Sequence, residues 1–317
     1  MPPSPPSHKV VVAALLGNLA IALIKFAAAA LTGSSAMLSE GIHSMVDTSN
    51  EVLLLYGLKR AAKPPDAQQP FGYGRELYFW SFMVSLMVFA LGASASFYEG
   101  VTHLLHPSPV SRPVINYAVL LGCGAFEAIT WRIAWKSFRK SIGEQGVFEA
   151  FRNSKDASTL VVLLEDSAAL LGLMIAALGL TGAQLLDSPR LDGLASVGIG
   201  LVLAVTSLLL ARETKALLIG ERARPAVRDS ILRLAEADPA IRTANGVFTV
   251  QMGPRQITAA LSAEFEDGLS TGEIEACVNR LEVAIKQAQP DIMVLFVKPQ
   301  TAETWRARTG GLGALIG

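Results

Sequence analysis

A six-helix transmembrane bundle followed by a small α+β domain is the fold class that this sequence predicts, and three observations predict it. Of the 317 residues, 51% are hydrophobic and only 17% are charged, where soluble domains carry about a quarter of charged residues, and the mean hydropathy is positive. Six stretches reach the roughly 20 mostly apolar residues that a bilayer core of about 30 Å demands. After Glu221 the apolar runs become too short to cross a bilayer and turn amphipathic.

The elements follow in chain order. Residues 1–9, MPPSPPSHK, form a disordered proline-rich tail, and the run behind it lacks a cleavage site, so it reads as a first span and not a removed signal. The spans are expected near Val10 to Leu31, Ser35 to Leu58, Leu77 to Gly100, Pro113 to Trp135, Ala157 to Leu180 and Leu191 to Ala211, making 10–212 a transmembrane domain. Lys59, Arg60, Lys63 and Arg75 follow the second span, and Arg132, Lys136, Arg139, Lys140, Arg152 and Lys155 surround the join of the fourth and fifth. The alternate joins hold only Arg112 and Arg190. The positive-inside rule then places both termini in the cytosol.

Residues 213–300 read as a cytosolic αββαβ domain of ferredoxin-like order, with 301–317 as a tail. Pro225 to Ala237 has helical apolar spacing, and Pro225 suits a first helical turn. Val247 to Met252 and Ile257 to Phe265 are strand-like runs joined at Gly253 and Pro254. Thr271 to Gln287 is a second helix, started by Ser270, Thr271 and Glu273, and Ile292 to Val297 is a third strand.

Several function classes drop out. Lys and Arg total 27 against 27 Asp and Glu, so no basic excess points to nucleic acid. Cys123 and Cys277 lie far apart in unlike surroundings and read as packing residues. No GxxxxGK[ST] loop suggests ATP use.

Charged residues inside spans are costly and mark functional paths. In SEGIHSMVDTSNE, His43 and Asp47 stand one turn apart on one face of the second span, and Glu165 with Asp166 interrupts the fifth-span run LVVLLEDSAALLG. At 1.5 Å per residue, Asp47 lies roughly 18 Å and Asp166 roughly 14 Å from the cytosolic ends of their helices. An imidazole with two or three carboxylates suits zinc and tolerates other first-row divalent ions. A His–Asp pair can instead lock two helices by hydrogen bonding; the matched depth of the fifth-span acids favours a metal site.

Other polar residues carry plainer readings. His103 and His106, one turn apart, could collect or release ions, but with no acid beside them except Glu99 they read as interfacial and structural. Lys25, Glu99, Glu127 and Arg132 fall within or at the ends of spans, and Glu51 either lines the cytosolic approach to the site or pairs with Lys25 or a loop base. Phe71, Tyr73, Tyr78, Phe79 and Trp80 read as an interfacial anchor.

These motifs together resemble the cation diffusion facilitators, a family of proton-coupled exporters of zinc and related ions. The resemblance runs through GNLAIALIKFAAAALTGSSAMLSEGIHSMVDT, PFGYGRELYFW, LLEDSAALLG, LDGLASVGIG and the αββαβ tail. It implies a homodimeric antiporter, not an enzyme, that exports zinc against protons, with manganese, iron, cobalt and cadmium as alternative cargo, and His43, Asp47 and Asp166 as ligands. Val162 stands where common zinc exporters have His or Asp, with Glu165 as the extra acid; this is similar to the branch that includes the animal zinc transporter nine. Glu165 is left as fourth ligand, proton acceptor or partner of a ligand, and Asn18 as a hydrogen-bonding neighbour. No histidine follows His106, so the last domain is expected to dimerise rather than bind regulatory zinc. The expected location is a bacterial inner membrane. Two alternatives stay open: a metal-responsive membrane scaffold or sensor, and an intramembrane metalloenzyme.

Overall fold

The computed structural model describes residues 8–142, 155 and 157–309. The chain forms two compact units, Met1–Arg60 with Glu76–Lys215, and Ala61–Arg75 with Ala216–Gly317.

The first unit is helical. It contains α1 (His8–Thr32), α2 (Ser35–Ala61), α3 (Arg75–Met87), α4 (Ser94–Leu105), α5 (Pro113–Ile142), α6 (Ala157–Leu185) and α7 (Arg190–Ile219). Between α3 and α4, Val88–Ala93 winds as a π-helix, so that Arg75–Leu105 runs as one span. The basic connection expected between the fourth and fifth spans falls largely on residues outside those described.

Five of the six expected spans are helices both long and apolar enough to cross a membrane, which makes this unit a multi-span transmembrane domain. The exception is α2, which has the length, 27 residues, but not the apolarity. Its polar side chains are turned inward: Ser39, Glu40, His43, Ser44 and Asn50 are all buried. A helix so used is surrounded by others, because the membrane offers no partner for such groups.

Apolar residues of several helices form the core, among them Ile21, Met37, Val88, Leu120, Leu173, Ile199 and Leu203. Side-chain hydrogen bonds cross it: Thr32 to Asn116 at 2.9 Å, Trp131 to Ser167 at 2.9 Å, and Tyr117 with Thr181 at 2.9 Å. Asp192 of α7 accepts from the Ser34 hydroxyl at 2.7 Å and from the backbone N–H groups of Ser35 and Ala36. A carboxylate there satisfies the open donors at the start of α2 and complements its dipole. Gly100 of α4 faces α7 so closely that a Cβ would stand 2.7 Å from the Val197 nitrogen and 2.8 Å from the Gly193 oxygen. Small residues at such crossings let membrane helices approach.

The second unit is a small mixed α/β domain: α8 (Pro225–Glu236), β1 (Ile241–Gly253), β2 (Gln256–Phe265), α9 (Thr271–Ala288), β3 (Ile292–Pro299) and α10 (Ala302–Thr309). The sheet order is β1-β2-β3, antiparallel in the first pair and parallel in the second, the parallel return being made through α9. Ile231 of α8, Val247, Leu261 and Leu295 of the sheet, and Cys277, Leu281 and Ile285 of α9 share one core. Pro225 opens α8, and Ser270 with Glu273 forms the capping box of α9. Within the stretch expected as a tail, α10 buries Trp305 over Gly246, where a Cβ would stand 2.7 Å from the indole. Both cysteines are buried free thiols.

Candidate functional site

On α2 the four-residue spacing brings His43 Nδ1 within 3.4 Å of Asp47 Oδ1. The contact falls short of a hydrogen bond, and neither ring nitrogen of His43, only 1% exposed, has a hydrogen-bond partner among the described residues. Buried polar atoms without partners are costly and uncommon. The imidazole therefore keeps both lone-pair and donor positions free for a group other than a protein side chain.

On α6 the adjacent acids diverge, as the roughly 100° step between neighbouring helix positions requires. Glu165 is buried and accepts a 2.7 Å hydrogen bond from Asn50, one turn beyond Asp47 on α2. Asp166 Oδ2 is buried and unpartnered. Asp47, Glu165 and Asp166 all line one cavity of about 300 Å³, whose walls also include Asn18 and Ile21 of α1, Ser44 and Glu51 of α2, Glu127 and Thr130 of α5, and Val162 of α6. Among the described residues no basic side chain lines these walls, and His43 stands off them, joined through Asp47.

Among the described residues, no three His, Cys, Asp or Glu side chains already converge on one point. The candidate side chains thus share a cavity wall without closing around one point. Val162, at the position where a ligand was expected to be missing, is an apolar part of the wall.

Several partners differ from those expected. Lys25 pairs with Glu40 at 2.9 Å and donates to Ser44 at 2.8 Å, all within the bundle, while Glu51 accepts from Asn18 at 2.8 Å. Lys25 and Glu40 are both fully buried, and the second oxygen of Glu40 abuts Gly172 of α6. His103 does have an acid beside it, Asp192, with Nε2 3.9 Å from Oδ2. Tyr78 is no interfacial anchor: it is fully buried and donates to the Lys155 carbonyl at 3.1 Å.

Sequence reasoning missed the structural roles of Glu40, Asn50 and Asp192. Glu40 stands one turn before His43, a signal that could have found it. Asn50 and Asp192 act across helices, and no spacing in the sequence announces that.

Imidazole nitrogen and carboxylate oxygens at membrane depth form a donor set suited to a divalent cation of zinc type, with oxygens in excess. A wall rich in carboxylates attracts positive charge strongly where little water screens it, and the fixed cation whose field reaches it, Lys25, is itself paired with Glu40.

Comparison with known proteins agrees in kind. A family model described as the cation efflux transmembrane domain matches residues 11–219. Over 268 residues the chain is 36% identical to the proton-coupled zinc antiporter SLC30A9, mitochondrial, of Xenopus laevis, covering 83% of this chain and 47% of that protein. It is 27% identical over 250 residues to metal tolerance protein C4 of Arabidopsis thaliana, covering 78% and 55%. The cation-efflux pump FieF of Klebsiella pneumoniae is 24% identical over 291 residues, 92% of each chain. The chain spans about half the length of the antiporter relatives it matches.

Proposed function

Because the chain belongs to the cation-efflux family, we propose that it is a proton-coupled antiporter that moves a divalent metal ion, zinc first among them, out of the cytosol. The observation that carries the proposal is an acidic cavity shared by Asp47 of α2 and Asp166 of α6, with unpartnered His43 3.4 Å behind Asp47. The transport ligands are His43, Asp47 and Asp166. Glu165, held by Asn50, either joins them or accepts a proton.

Metal binding requires neutral imidazole and ionised carboxylates, so an arriving ion displaces protons. After the helices rock, protonation of the same groups from the far side releases it. One set of ligands then couples the two fluxes, as in other carriers with midplane sites. In this reading α2 is the sixth span, buried among the other five, and residues 10–212 are the transport domain. Residues 213–300 form a cytosolic domain through which two copies dimerise, both termini lie in the cytosol, and the membrane is a bacterial inner membrane.

Zinc uptake by proteoliposomes under an imposed pH gradient tests the proposal. Uptake by the intact chain that is lost in Asp47→Ala and in Asp166→Ala supports it. Equal uptake by all three, or none by the intact folded chain, overturns it and favours a sensing or scaffolding role.

A further inference from the structure

The cavity has a carboxylate on a third helix that the site described above does not use. Glu127 lies near the middle of α5, about 21 Å from one end and about 22 Å from the other at 1.5 Å per residue. Leu120, Cys123, Glu127, Thr130 and Ala134 form the inward stripe of this helix, while Ala125, Phe126, Ala128 and Ile129 are exposed on the opposite side. Glu127 is the acidic member of that stripe and lines the cavity together with Val162, Asp47 and Asp166.

No described side chain donates a hydrogen bond to its carboxylate; Thr130 bonds to the Glu127 backbone oxygen instead, at 2.9 Å. Lys25 acts on Glu127 through its field alone, its ammonium being held by Glu40 and Ser44. A carboxylate at mid-span without a donor costs several kcal/mol unless a cation or proton meets it. The buried, unpartnered Asp166 Oδ2 on the same wall is a second sign that a ligand belongs here, and the unpartnered ring of His43, 1% exposed, stands behind Asp47.

We propose that Glu127 is a metal ligand of the transport site, supplying from α5 the oxygen that the wall lacks at Val162. The site is then held by three helices, α2, α5 and α6, and α5 must move with the others when the ion passes. This inference rests on the cavity being the transport site. A carboxylate in place of Val162, one turn from Asp166 on the same wall, should do the same work.

The test uses the full chain in detergent, with zinc and cadmium as probes. Glu127→Gln should weaken zinc binding by about 100-fold, the upper end of what losing a group that merely supports a ligand costs. Val162→Asp added to it should restore most of the affinity. Glu127→Cys should give a thiolate-to-cadmium charge-transfer band that the unaltered chain, with Cys123 one turn away, does not show; a supporting carboxylate replaced by Cys would give none. Glu127→Gln that binds zinc like the unaltered chain, or Glu127→Cys without the band, overturns the inference, provided Asp47→Asn still abolishes binding. Should Asp47→Asn also bind normally, the transport-site reading itself fails. If Glu127→Gln does not fold, the cadmium band of Glu127→Cys decides.

Discussion

Asn50 of α2 donates a 2.7 Å hydrogen bond to Glu165 of α6, buried between the two helices that carry the proposed ligands. That bond orients Glu165 and leaves its neighbour Asp166 on the cavity wall with an unpartnered oxygen.

Asn50→Leu removes the donor and leaves Glu165 buried without a replacement. Loss of a donor to a buried carboxylate costs about 1–3 kcal/mol, so the melting temperature in detergent should fall. Asn50→Asp removes the amide donor as well, and its melting temperature should also fall. Melting curves indistinguishable from the unaltered chain would show that the bond is not formed.

Asp192 closes the N-terminus of α2 through Ser34, Ser35 and Ala36. Asp192→Ala should cost about 1–2 kcal/mol, as other lost caps do, and Asp192→Asn less, since it keeps an acceptor. Thermal unfolding of the two variants should rank Asn above Ala. Equal loss in both would mean that charge, through the dipole and His103, matters more than the hydrogen bonds.

The α4–α7 crossing leaves no room at Gly100, where two of the three obstructing atoms, the Val197 nitrogen and the Gly193 oxygen, are backbone. Gly100→Ala should destabilise by about 1–3 kcal/mol, the range for overpacking. Gly122, on an open part of α5 with nothing within 4 Å of an added Cβ, should accept alanine without loss. The pair of melting temperatures checks both claims at once.

In the C-terminal unit, burial tends to raise the Asp238 carboxyl. The Arg280 side chain, at 3.0 Å, and the Ala240 N–H outweigh it and hold the group below its ordinary value. A carboxyl depressed on folding stabilises above its unfolded pKa of about 3.9 and loses that contribution as pH falls through the lower folded value. Arg280→Ala should therefore lower protection of the β1 amides from hydrogen exchange at pH 7 and narrow the difference from the unaltered chain at the acid end. A difference that grows as pH falls would contradict the assignment.

The elements that were legible in the sequence are those fixed by local chemistry. The four-residue spacing of His43 and Asp47 puts them on one helix face in any helix, and Ser270 with Glu273 announces a helix start wherever it occurs. Apolar runs of bilayer length announced six spans, five of which are described helices long and apolar enough to cross a membrane. What stayed hidden depends on how each helix is rotated about its axis. Lys25 could have paired with Glu51 by depth alone; the packing gives it Glu40, one turn before His43. Likewise nothing near Asp192 in the chain foretells that it caps a helix starting at Ser35. The π-turn at Val88–Ala93 is also silent in the sequence, because its residues fit an ordinary apolar helix equally well.

Proton movement driven by zinc tests the central claim most directly. Proteoliposomes carrying the full chain, loaded with a pH-sensitive dye and held without an initial pH gradient, are given external zinc. Antiport through one shared set of ligands requires that zinc entry expel protons, that the interior become alkaline, and that Asp47→Ala and Asp166→Ala abolish both fluxes together. Zinc entry with no change of internal pH, or proton movement that survives in either variant while zinc flux is lost, would contradict it.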